Sequence, residues 1–348
     1  MEPKQNTSSL AYDQKLPPMS AKYPWFIAQN PQSDYQIFYT INNPEYHYLR
    51  RINELHGRQI RACFHGWMIL TDHPGKVVWS LWNPLTSKLI RLPPLFHKQR
   101  DSHECCLSSP PYQTASVFLL TSIKIPTIVF YRLELKRQRL KWTEMSYAKQ
   151  LKRITGVDCC LRCLTCCNGK VYAMTSAPDC IGTHVIHVDI MATGKSKEVV
   201  ISLLPLVKVP PLFNLYLRCP SYNSFRAIKS FLKGSSTELF YIVVCFKDET
   251  RIGDVYLFKL DMTSVIWEEM VDLKDAIIFM ELASDHCYCY MSIVDSKIGG
   301  YIHILGNMGK VIYSFYVKDR TLSLSYMPCL VQQCHVSAWA MLEYRYRL

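Results

Sequence analysis

Six strand–turn–strand repeats, an irregular spacing of 40 to 70 residues between them, and almost no helical periodicity predict an all-β chain. Such a period, with two more strands between successive hairpins, predicts a single closed β-propeller of about six four-stranded blades. Degenerate terminal blades leave five or seven open, and a sandwich pair or a barrel is the alternative architecture. Anchored on Phe38, Val78, Val129, Val185, Val255 and Ile312, the repeats lie 40, 51, 56, 70 and 57 residues apart. With 348 residues, 49% of them hydrophobic, the chain can fill a large core.

Residues 1 to 24 hold Pro3, Pro17, Pro18 and several Ser, Gln and Asn without periodicity, and read as a disordered tail ahead of a propeller domain over 25 to 348. The first hairpin is IFYTINNPEYHYLRRI, followed by the strand GWMILTD. The second, VVWSLWNPLTSKLIRLPPL, turns at Asn83-Pro84 and leaves along Pro93-Pro94, a pair that cannot continue a ladder. SVFLLTSI leads to the third, IVFYRLELKRQRLKWTEMSY. Next come a cysteine-rich strand, an Asn168-Gly169 hairpin turn and GKVYAMTS, then HVIHVDIMATGKSKEVVISLL, LFYIVVCF and VYLFKLDMTSVIWEEMVDL. The best helical candidate, LKDAIIFM at 273–280, is short and reads as a blade linker or strand start. CYCYMSIV and a last hairpin from Ile312 finish the ring, and closure should bring the region of Ile37 beside Ile312. Trp79, Trp82, Trp142 and Trp267 are expected to pack between blades, with Trp267 buried against a neighbour.

No apolar run reaches the length of a membrane span, since ASVFLLTSIKIPTIVFY is broken by Lys124 and Pro126. The N-terminus lacks a secretory h-region and an Arg-rich transit pattern, so a cytoplasmic or nuclear protein is expected. A reducing compartment makes the fifteen cysteines free thiols or metal ligands. The formal charge of +12 favours an anionic partner.

Five cysteines fall within residues 159 to 167, and Cys163, Cys166, Cys180 and His184 have a spacing that could hold zinc. Opposed to it is a strand reading in which these are core or edge thiols facing alternate sides. Cys105-Cys106, with His97 and His103, reads as a solvated interblade loop. Lys136, Arg137, Arg139 and Lys141 crowd one hairpin turn and could contact an anionic partner, with Trp142 able to stack on a base, and Arg50, Arg51, Arg58 and Arg61 form a second group. Catalytic signatures are missing: GNMGKV has the wrong glycine spacing for a phosphate loop, and neither H-E-x-x-H nor G-x-S-x-G occurs. His65, His184, His187, His286 and His303 read as strand histidines. No cofactor and no enzymatic activity are expected.

Asn83-Pro84, Thr86 and Leu92-Pro93-Pro94-Leu95 together resemble the plant KIB-type β-propeller family of F-box-associated proteins, as do DVYLFKLDMTSVIWEEM and GGYIHILGNMGKVIYSFYVKDRTLSLSYMPC. The resemblance spans residues 24 to 342. It implies a propeller that captures a protein, in relatives that also bind a Skp-type adaptor of a ubiquitin ligase through an F-box. The residues ahead of the first hairpin lack the amphipathic helices of an F-box, so an adaptor-free interaction module is expected, with a protein partner that is acidic or phosphorylated. A nucleic-acid-associated propeller is the alternative, followed by a glycan-binding or enzymatic one.

Overall fold

A computed structural model describes residues 25–29, 34–40, 43–72, 78, 79–95, 103–113, 116–133, 141–176, 184–193, 198–210, 225–282, 288–291, 299–306, 311–327 and 336–340. Six sheets follow one another around a ring. Blade I holds β1 (Trp25–Gln29), β2 (Gln36–Thr40) and β3 (Asn43–Arg50), and its inner strand is the last among the described residues, β25 (Val336–Ala340). Blade II is β4 (Arg58–Phe64), β5 (Trp67–Asp72), β6 (Trp79–Asn83) and β7 (Lys88–Arg91). Blade III is β8 (His103–Leu107), β9 (Val117–Ser122), β10 (Thr127–Arg132) and β11 (Thr143–Ser146). Helix α1 (Ala148–Thr155) then leads to blade IV, with β12 (Cys160–Cys167), β13 (Lys170–Ser176), β14 (His184–Thr193) and β15 (Glu198–Lys208). Blade V is β16 (Ala227–Gly234), β17 (Leu239–Phe246), β18 (Ile252–Asp261) and β19 (Ile266–Glu269).

Blade VI departs from the expected four strands. β20 (Ile277–Glu281) pairs in parallel with β22 (Tyr301–Gly306), and β21 (Tyr288–Met291) folds back along the inner edge of β20. β23 (Val311–Tyr316) and β24 (Thr321–Tyr326) complete a five-stranded sheet. LKDAIIFM becomes a turn and the start of β20, as its length suggested. The sequence reading had no place for α1: it is only eight residues long and lacks a side-chain N-cap, though Gly156 ends it in the left-handed conformation.

The core is six apolar seams, one between each pair of neighbouring blades. Alternation along each strand generates them, because a period of two sends successive side chains to opposite faces. Leu119 enters the III/IV seam and Leu120 the II/III seam; Trp79 enters II/III and Trp82 I/II. Ile37 and Ile312 meet in the VI/I seam, as closure required.

Hairpin turns explain the sequence's turn residues. Asn168 and Gly169 both take positive φ, the primed turn expected there, and His65-Gly66 forms a second such turn between β4 and β5. Asn83 accepts the Thr86 N–H through Oδ1 at 3.0 Å, and Asp261 accepts the Thr263 N–H at 2.8 Å in the matching turn of blade V. Ser87, Val265 and Arg320 supply one left-handed residue each at the end of equivalent four-residue turns.

Candidate partner-binding surfaces

The cysteine run resolves into two seams. Cys163 lies in the IV/V seam and Cys166 in the III/IV seam, so the two thiols leave β12 on opposite faces and cannot share one metal ion. Their odd interval of three residues sets the two on opposite faces, and a bulge between Arg162 and Thr165 leaves Cys163 at positive φ. Cys163 Sγ approaches the Ser230 carbonyl at 3.9 Å and Cys166 Sγ the Ser108 carbonyl at 3.4 Å. His184 begins β14, and Cys180 lies outside the described residues. No group of three or more metal-ligating side chains occurs among the described residues.

Cys105-Cys106 is a correction to the loop reading. Both belong to β8 and are fully buried, Cys105 in the II/III seam and Cys106 in the III/IV seam, because a strand with seams on both sides needs small apolar groups on each face. Burial pushes the Cys105 thiol up to about 12 and the Cys166 thiol up to about 12, so they are protonated and unreactive at neutral pH. His103 opens β8, and His97 lies outside the described residues.

His65, His303 and the buried Glu104 have internal partners. His65 occupies a turn, not a strand, with Nε2 3.1 Å from the Leu107 carbonyl. His303 Nδ1 sits 2.9 Å from Ser314 Oγ, and its ring stacks on Phe279 and Tyr301. Glu104 accepts the Leu164 N–H at 3.0 Å, capping the bulge of the next blade's inner strand. His184 and His187 stand on β14 with their pKa lowered by burial, and His286 lies outside the described residues.

Two tryptophans perform the same task in different blades. Trp142 donates its indole N–H to the Pro93 carbonyl at 2.9 Å, and Trp267 donates to the Lys208 carbonyl at 2.9 Å. Trp267 reaches from β19 to the last residue of β15, Trp142 reaches from just ahead of β11 to just past β7, and each is half-buried rather than buried. Trp142 packs on Phe118 and Tyr131, Trp267 on Tyr241. The LPPL stretch thereby acquires a role: Leu92 and Leu95 fill the II/III seam while Pro93 offers its carbonyl; Pro94 is exposed. A second Val-Pro-Pro-Leu-Phe at 209–213 echoes Leu-Pro-Pro-Leu-Phe at 92–96, a signal in the sequence that marks the second of these contacts.

The basic groups differ in availability. Arg51 pairs with Asp34 at 3.3 Å, beside His56 at 3.2 Å, and Arg50 stacks on Tyr48 and donates to the Leu49 carbonyl. Arg58 donates to the Glu54 carbonyl at 3.2 Å, and burial, followed by Arg91, lowers its pKa. Arg61 lies within β4. Lys141 is exposed before β11; Lys136, Arg137 and Arg139 lie outside the described residues.

Sequence reasoning missed the basic face of α1. Lys149, Lys152 and Arg153 recur at i, i+3 and i+4, one face of a helix, and all three are exposed. The opposite face is fixed: Leu151 enters the III/IV seam and Gln150 Oε1 accepts the Leu203 N–H of β15 at 3.0 Å. Lys152 pairs with Asp158 at 3.0 Å, whereas Lys149 and Arg153 have no acidic partner among the described residues. The signal was present as spacing in AKQLKRIT, but eight residues are too few for periodicity to stand out.

No curated protein matches the chain. Among solved structures, similarity extends to the N-terminal domain of Nup159, at 8% identity and a TM-score of 0.29 over 86% of this chain and 74% of that one. The Malassezia sympodialis allergen Mala s 1 matches at 8% identity and 0.34 over 77% and 78% of the two chains, and the Dos1 propeller at 9% and 0.31 over 88% and 73%. These likenesses are too distant to carry an argument. A family model described as the KIB1-4 beta-propeller matches residues 32–313, and the chain belongs to that family.

Proposed function

We propose that the chain is a non-catalytic protein-interaction propeller, a receptor for a partner segment that is acidic or phosphorylated, related to F-box ubiquitin-ligase subunits and working in the cytosol or nucleus. The observation that carries the reading is the face of α1, where Lys149 and Arg153 project from a helix whose other side is locked into a seam. Charges held on a rigid element steer an oppositely charged partner and lose little entropy on binding. The chain's net charge of +12 supports the same sign of partner. The groups that resemble chemistry, buried Glu104 and His303 and half-buried His65, serve the fold through internal hydrogen bonds.

Affinity capture with mass spectrometry tests this, comparing the parent with a Lys149→Glu/Arg153→Glu variant at low and at about 0.5 M salt. The expected result is a reproducible protein partner retained at low salt and reduced about tenfold or more in the variant, which melts like the parent. Equal recovery with both proteins would remove α1 from the interface. A labelled oligonucleotide that binds the parent and loses affinity in the variant would replace the protein partner by nucleic acid.

A further inference from the structure

The outermost strand of a blade leaves one row of backbone N–H and C=O groups unpaired, a template for another chain unless something guards it. Most of these edges are guarded. β7 is four residues long between Lys88 and Arg91; β11 and β19 are equally short and carry Glu144, and Glu268 with Glu269. β3 contains Pro44, Glu45 and Arg50. The long β15 is interrupted by Pro205, and Gln150 of α1 occupies its Leu203 N–H. β24 differs: Thr-Leu-Ser-Leu-Ser-Tyr has no charge, proline or glycine, and no strand lies on its outer side among the described residues. Its register against β23 places Leu322 opposite Phe315, Leu324 opposite Tyr313 and Tyr326 opposite Val311, residues of the V/VI seam. Leu322 packs on that seam, while Leu324 and Tyr326 carry the same face outward, 45% and 74% exposed.

We infer that β24 is a self-association edge, to which a second copy of this chain adds its own β24 antiparallel across a two-fold axis at Leu324. The strand is complementary to itself. With the axis there, Leu324 faces Leu324 of the second copy, Leu322 faces Tyr326 and Ser323 faces Ser325, so apolar meets apolar, hydroxyl meets hydroxyl and no like charges meet. The same operation on β7, β11 or β19 would crowd lysines, arginines or glutamates into one short ladder. The blade VI sheets of the two copies would form one continuous sheet. Blade VI stands across the ring from blade III, so both α1 faces stay open, and the inference does not depend on the proposed partner. Because each copy carries +12, salt should strengthen this pairing, the reverse of its effect on an acidic partner.

Sedimentation equilibrium of the full chain tests the inference, alongside Leu324→Lys, Leu324→Glu and their equimolar mixture, with thermal melts to show that the exposed substitutions leave the fold intact. The parent should be a dimer that tightens with salt; each variant alone should dissociate about tenfold or more readily, and the mixture should recover dimer through the Lys–Glu pair. A parent that remains monomeric would overturn it, including one whose amides at 321–326 resist hydrogen exchange because another segment of the chain covers the edge. Variants that dimerise like the parent would overturn it equally.

Discussion

His303 shows what burial does to a single titratable group. It is 7% exposed, and desolvation lowers its pKa from 6.5 to about 4. Between those values the unfolded chain binds a proton that the folded chain refuses, so the stability tied to the neutral ring is complete above pH 6.5 and declines as pH falls. Lowering the pH from about 6.5 to about 5 should cost about 1.5 kcal/mol through this residue. Urea midpoints should therefore fall more steeply with acid in the parent than in His303→Phe; parallel slopes would show that the ring is hydrated or charged in the fold. At this scale the sequence was legible where a turn demanded a residue, as with Asn168-Gly169 and Asn83. It was not legible at Cys105-Cys106, since nearby serines and prolines give a loop composition while strand pairing decides the burial.

At the scale of the element, the outer hairpins of blades III and V are the same object. KWTEM and IWEEM each place a tryptophan toward the preceding blade, Trp142 and Trp267, and a methionine toward the following one, Met145 and Met270. The odd interval of three residues on a strand puts the two side chains on opposite faces. Sequence comparison located this repeat but overstated its burial, because an outer strand has solvent beyond it. Trp267→Ala loses ring packing on Tyr241 and the hydrogen bond to Lys208, and half-burial sets the cost at about 2 to 3 kcal/mol, below that of a fully buried tryptophan. Trp267→Phe, which keeps much of the ring, should lose about half as much in urea unfolding. An unchanged midpoint for Trp267→Ala would mean that the blades meet without this contact. Helix α1, between blades III and IV, is not legible in the sequence because neighbouring strands, not its own length, hold it in place.

For the whole molecule, number of blades and closure were readable from spacing alone, and the extra strand of blade VI was not: β20 and β21 look like any apolar hairpin, and their parallel pairing with β22 is decided by neighbours far along the chain. β25 pairs with β1 over five registered positions from Trp25–Ala340 to Gln29–Val336. Deleting residues 336 to 348 should leave blade I with three strands and the Phe26 to Gln29 edge bare, and the protein should lose cooperative unfolding and precipitate. A soluble truncated chain with an unchanged melt would show that blade I closes without its last strand. The same pairing also puts an order on events during synthesis. Blades II to V are each assembled from consecutive strands and can form as they leave the ribosome, but β1 waits for β25, made about three hundred residues later. Throughout that interval its apolar strand WFIAQ keeps an open edge, which makes the nascent chain, more than the finished ring, the form in need of a chaperone.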